Sequence, residues 1–90
     1  MKLSDKGIKI IRNKRINKGI TQEELARYLK IDSSFISKLE NKRRRNLSLK
    51  NTLKLCNLLE LNLKDIINIK DYENIKNYME WYFKEGLYNG

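Results

Sequence analysis

The chain of 90 residues is long enough for one domain and too short for two, so every site must share a single hydrophobic core. Its composition, with 34 % charged residues, four glycines and no proline, permits a globular fold and disfavours turn-rich β folds. Histidine is absent and Cys56 is the single cysteine, which excludes zinc clusters, histidine catalysis and disulfide frameworks within one chain. We therefore expect no metal and no cofactor.

Charge is distributed unevenly along the chain. Lys and Arg number 20 against 11 Asp and Glu, a net charge of +9. Residues 1–50 hold 15 basic and 5 acidic side chains, whereas residues 51–90 hold 5 and 6. This distribution predicts that the basic first half faces a polyanion and that the neutral second half serves packing or association. Biased codon usage, the alternative, explains abundant lysine but not its loss from the second half.

Membrane insertion and export are not expected. No apolar run approaches the roughly 20 residues of a membrane span, and the first residues are not followed by the apolar core of a signal peptide. We therefore expect a cytoplasmic protein with no membrane partner.

The first two predicted helices have clear boundaries. The first runs from about Ser4 to Lys18 and ends at Gly19. The second follows a capping box formed by Thr21 and Glu24. Its buried face is predicted to consist of Leu25, Ala26 and Leu29.

A third helix is predicted from Ser33 to about Asn41, with Asp32 as its N-cap. Ile36 and Leu39 lie three residues apart and face inward. Residues 41–46, with the sequence NKRRRN, contain no apolar side chain and are expected to form an exposed loop.

The second half predicts three more helices and no strand. Ser48 caps a fourth helix, Asn62 caps a short fifth, and a sixth covers residues 71–85 before Gly86. The fourth helix is expected to bury one side, formed by Leu49, Leu53, Cys56 and Leu59, with the cysteine as a small buried hydrophobe. The fifth carries Leu63, Ile66 and Ile67. The predicted fold class is all-α.

Residues 21–40, with the sequence TQEELARYLKIDSSFISKLE, place two helices of about eight residues around a short turn. Ala26 is small where the two backbones must approach closely. The apolar seam between the helices is Leu25, Leu29, Ile31, Ile36 and Leu39. This is the geometry of a helix-turn-helix, whose second helix enters the major groove of DNA.

Residues 8–67 resemble the Cro/phage-repressor type of helix-turn-helix domain, the XRE family. The motifs that carry the resemblance are R-x-x-K-G-I-T-Q at residues 15–22, I-S-x-L-E at residues 36–40, and a leucine pattern from residue 48 to residue 61. The resemblance implies a five-helix lambda-repressor-like domain over residues 1–69, and the sequence pattern adds a C-terminal helix in residues 70–90. It also implies double-stranded DNA as the partner.

The resemblance implies a role at the DNA for individual residues. Ser33, Ser34 and Lys38 match base-reading positions on the third helix. Phe35 lies at the groove edge, where contact with a thymine methyl group and packing in the core are both open. The residues that match phosphate contacts are Thr21, Gln22, Ser37, Asn41, Lys42, Arg43 and Arg44, with tight packing as the alternative for the serine.

Arg15 and Glu40 match a structural ion pair between the first helix and the end of the third. Three positions at which the family has glycine are instead Lys30, Lys42 and Glu60. Lys30 therefore either takes a left-handed conformation, at a cost of about 1 kcal/mol, or the turn has a different shape.

Residues 70–90 lie beyond the family core and are expected to form a dimer or partner surface. A stripe that can dock against the domain contains Tyr72, Ile75, Met79, Tyr82 and Phe83. Trp81 faces away from this stripe with Tyr78 between, and Leu58 lies off the buried face of the fourth helix. The alternative is a helix that only caps the core.

The sequence leaves three functions open. The first is a regulator of transcription, a repressor, that binds a palindromic operator as a homodimer with helix 33–41 in the major groove. The second is the antitoxin or controller subunit of a small operon, whose C-terminal helix binds a second protein. The third is an interaction module without DNA binding. An enzyme is not expected, because Glu23, Glu24 and Glu40 have no nucleophile, partner acid or metal set nearby.

Overall fold

Six helices form the structure, and residues 1–84 contain no strand. The computed structural model describes these residues, without the side chains of Met79 and of residues 82–84. The helices are α1 (Asp5–Asn17), α2 (Gln22–Leu29), α3 (Ser33–Glu40), α4 (Leu49–Leu59), α5 (Leu63–Ile66) and α6 (Ile69–Lys84). The all-α prediction is confirmed. The predicted end of α6 at Gly86 lies outside the described residues.

Side-chain caps begin most of the helices where the sequence predicts them. The Thr21 hydroxyl accepts from the Glu24 amide at 3.0 Å, and the Glu24 carboxylate accepts from the Thr21 amide at 3.0 Å. The hydrogen bond from the Thr21 backbone amide holds the pKa of the Glu24 carboxylate below its usual value, and the Thr21 side chain lowers it further. Asp32 and Ser48 cap α3 and α4 as predicted. Ser4 caps α1, a role that the sequence pattern did not assign to it. Asn62 is an exception, since its side chain makes no capping bond to α5.

The start of α6 differs from the prediction by two residues. The Asn68 side chain accepts from the Asp71 amide at 2.8 Å, which caps the helix and starts it at Ile69. The inward residues Tyr72 and Ile75 pack against the core, as the predicted stripe requires. The other members of that stripe, Met79, Tyr82 and Phe83, have side chains outside the described part of the chain.

The hydrophobic core draws on five helices and on three segments outside them. Its buried members are Leu3, Ile8, Ile11, Leu25, Ala26, Leu29, Ile36, Leu39, Leu47, Leu55, Leu59, Ile66 and Ile67. Gly7 allows α1 to approach α5 closely, because a Cβ at this position would clash with the Ile66 carbonyl oxygen.

The predicted buried face of α4 is rotated from the observed one. Thr52, Leu55 and Leu59 are the deeply buried residues, whereas Leu53 and Cys56 are half-buried. The Thr52 hydroxyl donates to the Ser48 carbonyl at 2.7 Å, so this polar side chain enters the core with its hydrogen bond made. Cys56 packs against the edge of the core, and partial burial raises the pKa of its thiol.

A buried ion pair connects α1 to the end of α3. Arg15 donates from Nε to Glu40 Oε2 at 2.6 Å and from Nη2 to Glu40 Oε1 at 2.9 Å. The Gln22 side chain, on the first turn of α2, donates to the same Oε1 at 3.0 Å. Arg15 Nη1 also donates to the Ile20 carbonyl at 2.7 Å. Because the Glu40 side chain is only 2 % exposed, these partners are needed to offset the cost of burying its charge.

The three lysine and glutamate residues at expected glycine positions are all left-handed. Lys30 has φ 57°, Lys42 has φ 64° and Glu60 has φ 57°. Lys30 ends α2, and its amide donates to the carbonyls of Ala26 and Arg27. The turn therefore keeps the left-handed shape and bears the strain of a side chain there.

Replacing Lys30 by glycine is expected to stabilise the fold by up to about 1 kcal/mol, because glycine takes a left-handed conformation without the clash of a Cβ. The matched control is Lys9→Gly at an exposed position inside α1, which is expected to cost about 1 kcal/mol. Urea unfolding measures both changes. If the two variants unfold at the same midpoint, Lys30 is not left-handed in solution.

Glu40→Gln is expected to lower the free energy of unfolding by about 3 kcal/mol, since it leaves the Arg15 guanidinium buried without its counter-charge. Glu60→Gln is the control, because Glu60 makes an exposed pair with Lys18 at 3.4 Å whose loss costs less than about 1 kcal/mol. Thermal unfolding at neutral pH compares the two. A Glu40→Gln variant that melts within a degree of the unsubstituted protein would show that the pair contributes little.

Candidate nucleic-acid interface

The second helix of the helix-turn-helix presents a polar face outward. Ile36 and Leu39 of α3 are buried against the core, which fixes the orientation of this short helix. The opposite side carries Ser33, Ser34 and Lys38, and all three side chains are exposed. The structure therefore brings the three predicted base-reading residues onto one accessible surface.

The first turn of α2 lies beside this surface. The Gln22 side chain, which was expected at a phosphate, is instead hydrogen-bonded to Glu40. The backbone amides of Gln22 and Glu23 have no hydrogen-bond acceptor within residues 1–84. They point along the positive end of the helix dipole, which favours an anion. Thr21 is exposed next to them and uses its hydroxyl oxygen in the capping box.

The loop after α3 folds back onto the end of that helix. The amides of Arg43 and Arg44 both donate to the Lys38 carbonyl, at 2.9 and 3.2 Å. Asn41 caps the C-terminus of α3, and the left-handed Lys42 follows it. The loop is thus held close to the exposed face of α3 by main-chain bonds.

Phe35 and Arg44 contact each other directly. The Arg44 guanidinium carbon lies 4.6 Å from the centre of the Phe35 ring, a cation–π contact. Phe35 is half-buried and packs partly against the core, and Ser37 is half-buried as well. The contact gives the aromatic ring a role in holding a loop cation, which the sequence pattern did not indicate.

Arg45, the last cation of the loop, has a different environment. Its guanidinium donates to the Asp5 carboxylate at the start of α1. Sequence reasoning missed this pair, because 40 positions separate the two residues and no local pattern links them.

The far end of the chain carries exposed aromatic rings. Tyr78 and Trp81 are 55 % and 50 % exposed, and their ring centres lie 6.1 Å apart on α6. Leu58, the third residue of the expected association surface, is half-buried against the core. The exposed pair is therefore the part of that surface that is accessible.

The chemistry of the interface is that of a polyanion-binding surface. It combines hydroxyl groups and cations on α3 and its loop with unpaired amides on α2. In residues 1–84 no cluster of three acidic or thiol side chains is arranged to hold a metal ion. None of the helices described is both long and apolar enough to cross a membrane.

Comparison with known proteins gives a consistent family. Residues 8–72 match the helix-turn-helix domain family. The restriction-modification controller protein C.AhdI from Aeromonas hydrophila is 35 % identical, with a TM-score of 0.56, over 67 % of this chain and 89 % of that one. The hypothetical transcription factor NHTF from Neisseria is 28 % identical, with a TM-score of 0.58, over 83 % and 93 % of the two chains.

The DNA-binding domain of SinR from Bacillus subtilis shares the fold, at 24 % identity and a TM-score of 0.56, over 63 % of this chain and 83 % of that one. No curated protein matches the sequence. The family match spans most of the chain and includes α2, α3 and the loop that follows. The chain belongs to the XRE type of the helix-turn-helix family of DNA-binding regulators.

Proposed function

We propose that the protein is a sequence-specific repressor of transcription that inserts α3 into the major groove of a palindromic operator. The observation that carries this proposal is the exposed face of α3, with Ser33, Ser34 and Lys38, on a helix whose other side is buried. A rigid helix that presents donors and acceptors is what readout of base edges requires. A protein with this function works in the compartment that holds the DNA, which is consistent with a cytoplasmic location.

Base reading is assigned to the α3 face. The Lys38 ammonium can donate to O6 and N7 of guanine, and the hydroxyls of Ser33 and Ser34 can donate or accept. Phe35 is half-buried under the Arg44 guanidinium, so we assign it to support of the loop, with contact to a thymine methyl group at its exposed edge.

Grip on the DNA backbone is assigned to the groups on either side of α3. The proposed phosphate ligands are the hydroxyl groups of Thr21 and Ser37, the free backbone amide of Gln22, Asn41, and the exposed cations Lys42, Arg43 and Arg44. Gln22 contributes through its backbone amide, since its side chain holds Glu40. Such contacts release counterions and give affinity that falls steeply with salt.

Two copies are proposed to bind together. One α3 offers few base contacts, and a two-fold pair reading half-sites about 34–36 Å apart doubles them. The exposed Trp81 and Tyr78 on α6 are the side-chain types that anchor association surfaces. Residues 51–90 are almost neutral, with 5 basic and 6 acidic side chains, so two copies can associate there without strong repulsion.

A controller of a small operon is the second candidate function. It is favoured by the likeness to two restriction-modification controller proteins, C.AhdI and C.Esp1396I, each 35 % identical to this chain. The DNA chemistry is the same in both functions. They differ in the genes that are regulated and in whether α6 binds a second protein.

Lys38→Ala is expected to cost roughly 1–3 kcal/mol on the preferred DNA site and to flatten the base preference at one position, because a base contact is lost. Arg43→Ala is the matched control on the loop. It is expected to weaken binding to all sequences alike and to reduce the salt slope by about 1. Selection of bound sequences from a random pool, followed by titration at several salt concentrations, measures both effects. Equal loss of base preference in the two variants would show that the reading face is wrongly assigned.

The full chain is expected to sediment at micromolar concentration with about twice its 10.8 kDa mass. Trp81→Ser is expected to shift the protein to a monomer and to weaken operator binding, because the aromatic anchor is lost. Lys76→Ser, an exposed change on the same helix, should leave the dimer intact. A monomer in the unsubstituted protein, with operator binding unaffected by Trp81→Ser, would leave α6 as a cap on the core.

A further inference from the structure

The four consecutive cations of the loop after α3 are not equally available. The side chains of Lys42, Arg43 and Arg44 are exposed. Arg45 is half-buried, with its side chain 32 % exposed, and its guanidinium contacts the Asp5 carboxylate. The side chain of Asp5 is itself 63 % exposed, so the pair lies at the surface, next to the loop.

Main-chain bonds hold Arg45 in reach of Asp5. The Leu3 amide donates to the Arg45 carbonyl at 2.8 Å, and the Leu47 amide donates to the Met1 carbonyl at 2.8 Å. Leu3 is fully buried and anchors this segment in the core. The segment before α1 and the end of the loop are therefore fixed against each other. Little main-chain freedom remains to be lost when the ion pair forms.

The surroundings of Asp5 favour its charged form. The hydrogen bond from Arg45 lowers the pKa of Asp5 most, and the charges of Arg45, Lys42 and Lys2 lower it further. The contact with Arg45 places the carboxylate beside the end of the loop. Asp5 is therefore ionised at neutral pH and attracts a guanidinium that would otherwise extend toward solvent.

We propose that Asp5 withholds the Arg45 guanidinium from DNA phosphates, so that of the four loop cations only Lys42, Arg43 and Arg44 bind the DNA backbone. This inference rests on the proposed function and limits one part of it, the affinity that is independent of sequence. A phosphate contact contributes about 0.9 to the slope of log affinity against log salt and adds equally to right and wrong sites. Removing one cation from the grip therefore gives base reading a larger share of the total affinity.

The test uses the full chain and a labelled 20-base-pair duplex of random sequence, titrated at several salt concentrations. Asp5→Asn removes the negative charge and keeps the size of the side chain. It is expected to tighten binding roughly threefold or more at low salt and to steepen the salt slope by about 0.9. Arg45→Ala alone is expected to change affinity little, because the guanidinium is already withheld. The double variant is expected to behave like Arg45→Ala.

The double variant separates release of Arg45 from simple loss of a negative charge. If Asp5→Asn tightens binding equally in the Arg45→Ala background, or does not tighten it at all, the inference is overturned. It is also overturned if Arg45→Ala weakens binding as much as Arg43→Ala does, since Arg45 would then already contact phosphate. The comparison of Arg45→Ala with Arg43→Ala needs no change at Asp5, so it still decides the question if the Asp5→Asn variant does not fold. The proposed function fails separately, if the unsubstituted chain does not bind the duplex even at low salt.

Discussion

The buried carboxylate of Glu40 is the constraint on which the DNA-facing surface depends. Arg15 of α1 and Gln22 of α2 both bond to it, and it belongs to the last turn of α3. A carboxylate that is 2 % exposed is costly without such partners, so none of the three helices can shift without exposing or stranding a charge. Arg12 adds a more distant cation, 4.0 Å from the same oxygen. The angle at which α3 is presented follows from this network together with the apolar seam.

Preorganisation extends from the network to the loop. The Lys38 carbonyl accepts from two successive loop amides, and Arg44 packs on Phe35, which itself packs against the core. The cations thus start from a folded loop, although residues 41–46 have no apolar side chain of their own. Binding to such a surface loses less conformational entropy than binding to a disordered basic tail. The energy of phosphate contact is then available for affinity.

Local chemistry explains what could be predicted from the sequence. Thr21 and Asp32 bond to amides within three residues, and Lys30 ends its helix within a single turn, so their roles are visible in short stretches of sequence. The predicted buried face of α4 was wrong because leucines occupy several sides of that helix. Packing against the rest of the domain buries Leu55 fully and Leu53 only in part. Residues 1–4 and the Asp5–Arg45 pair depend on contacts between distant parts of the chain. The spacing of apolar residues along the sequence gives no indication of these contacts.

The positions of the acids explain why the first half presents so strong a positive surface. Residues 1–50 contain five acidic side chains, and four of them have a structural partner: Asp5 on Arg45, Glu24 in the capping box, Asp32 as an N-cap and Glu40 in the buried network. Glu23 lies in the first turn of α2, where the helix dipole favours a negative charge. None of the five lies on the outer face of α3 or in residues 41–46. Within the described residues, Arg45 is the loop cation that pairs with an acid, whereas Lys42, Arg43 and Arg44 form no ion pair and supply the positive potential of the loop.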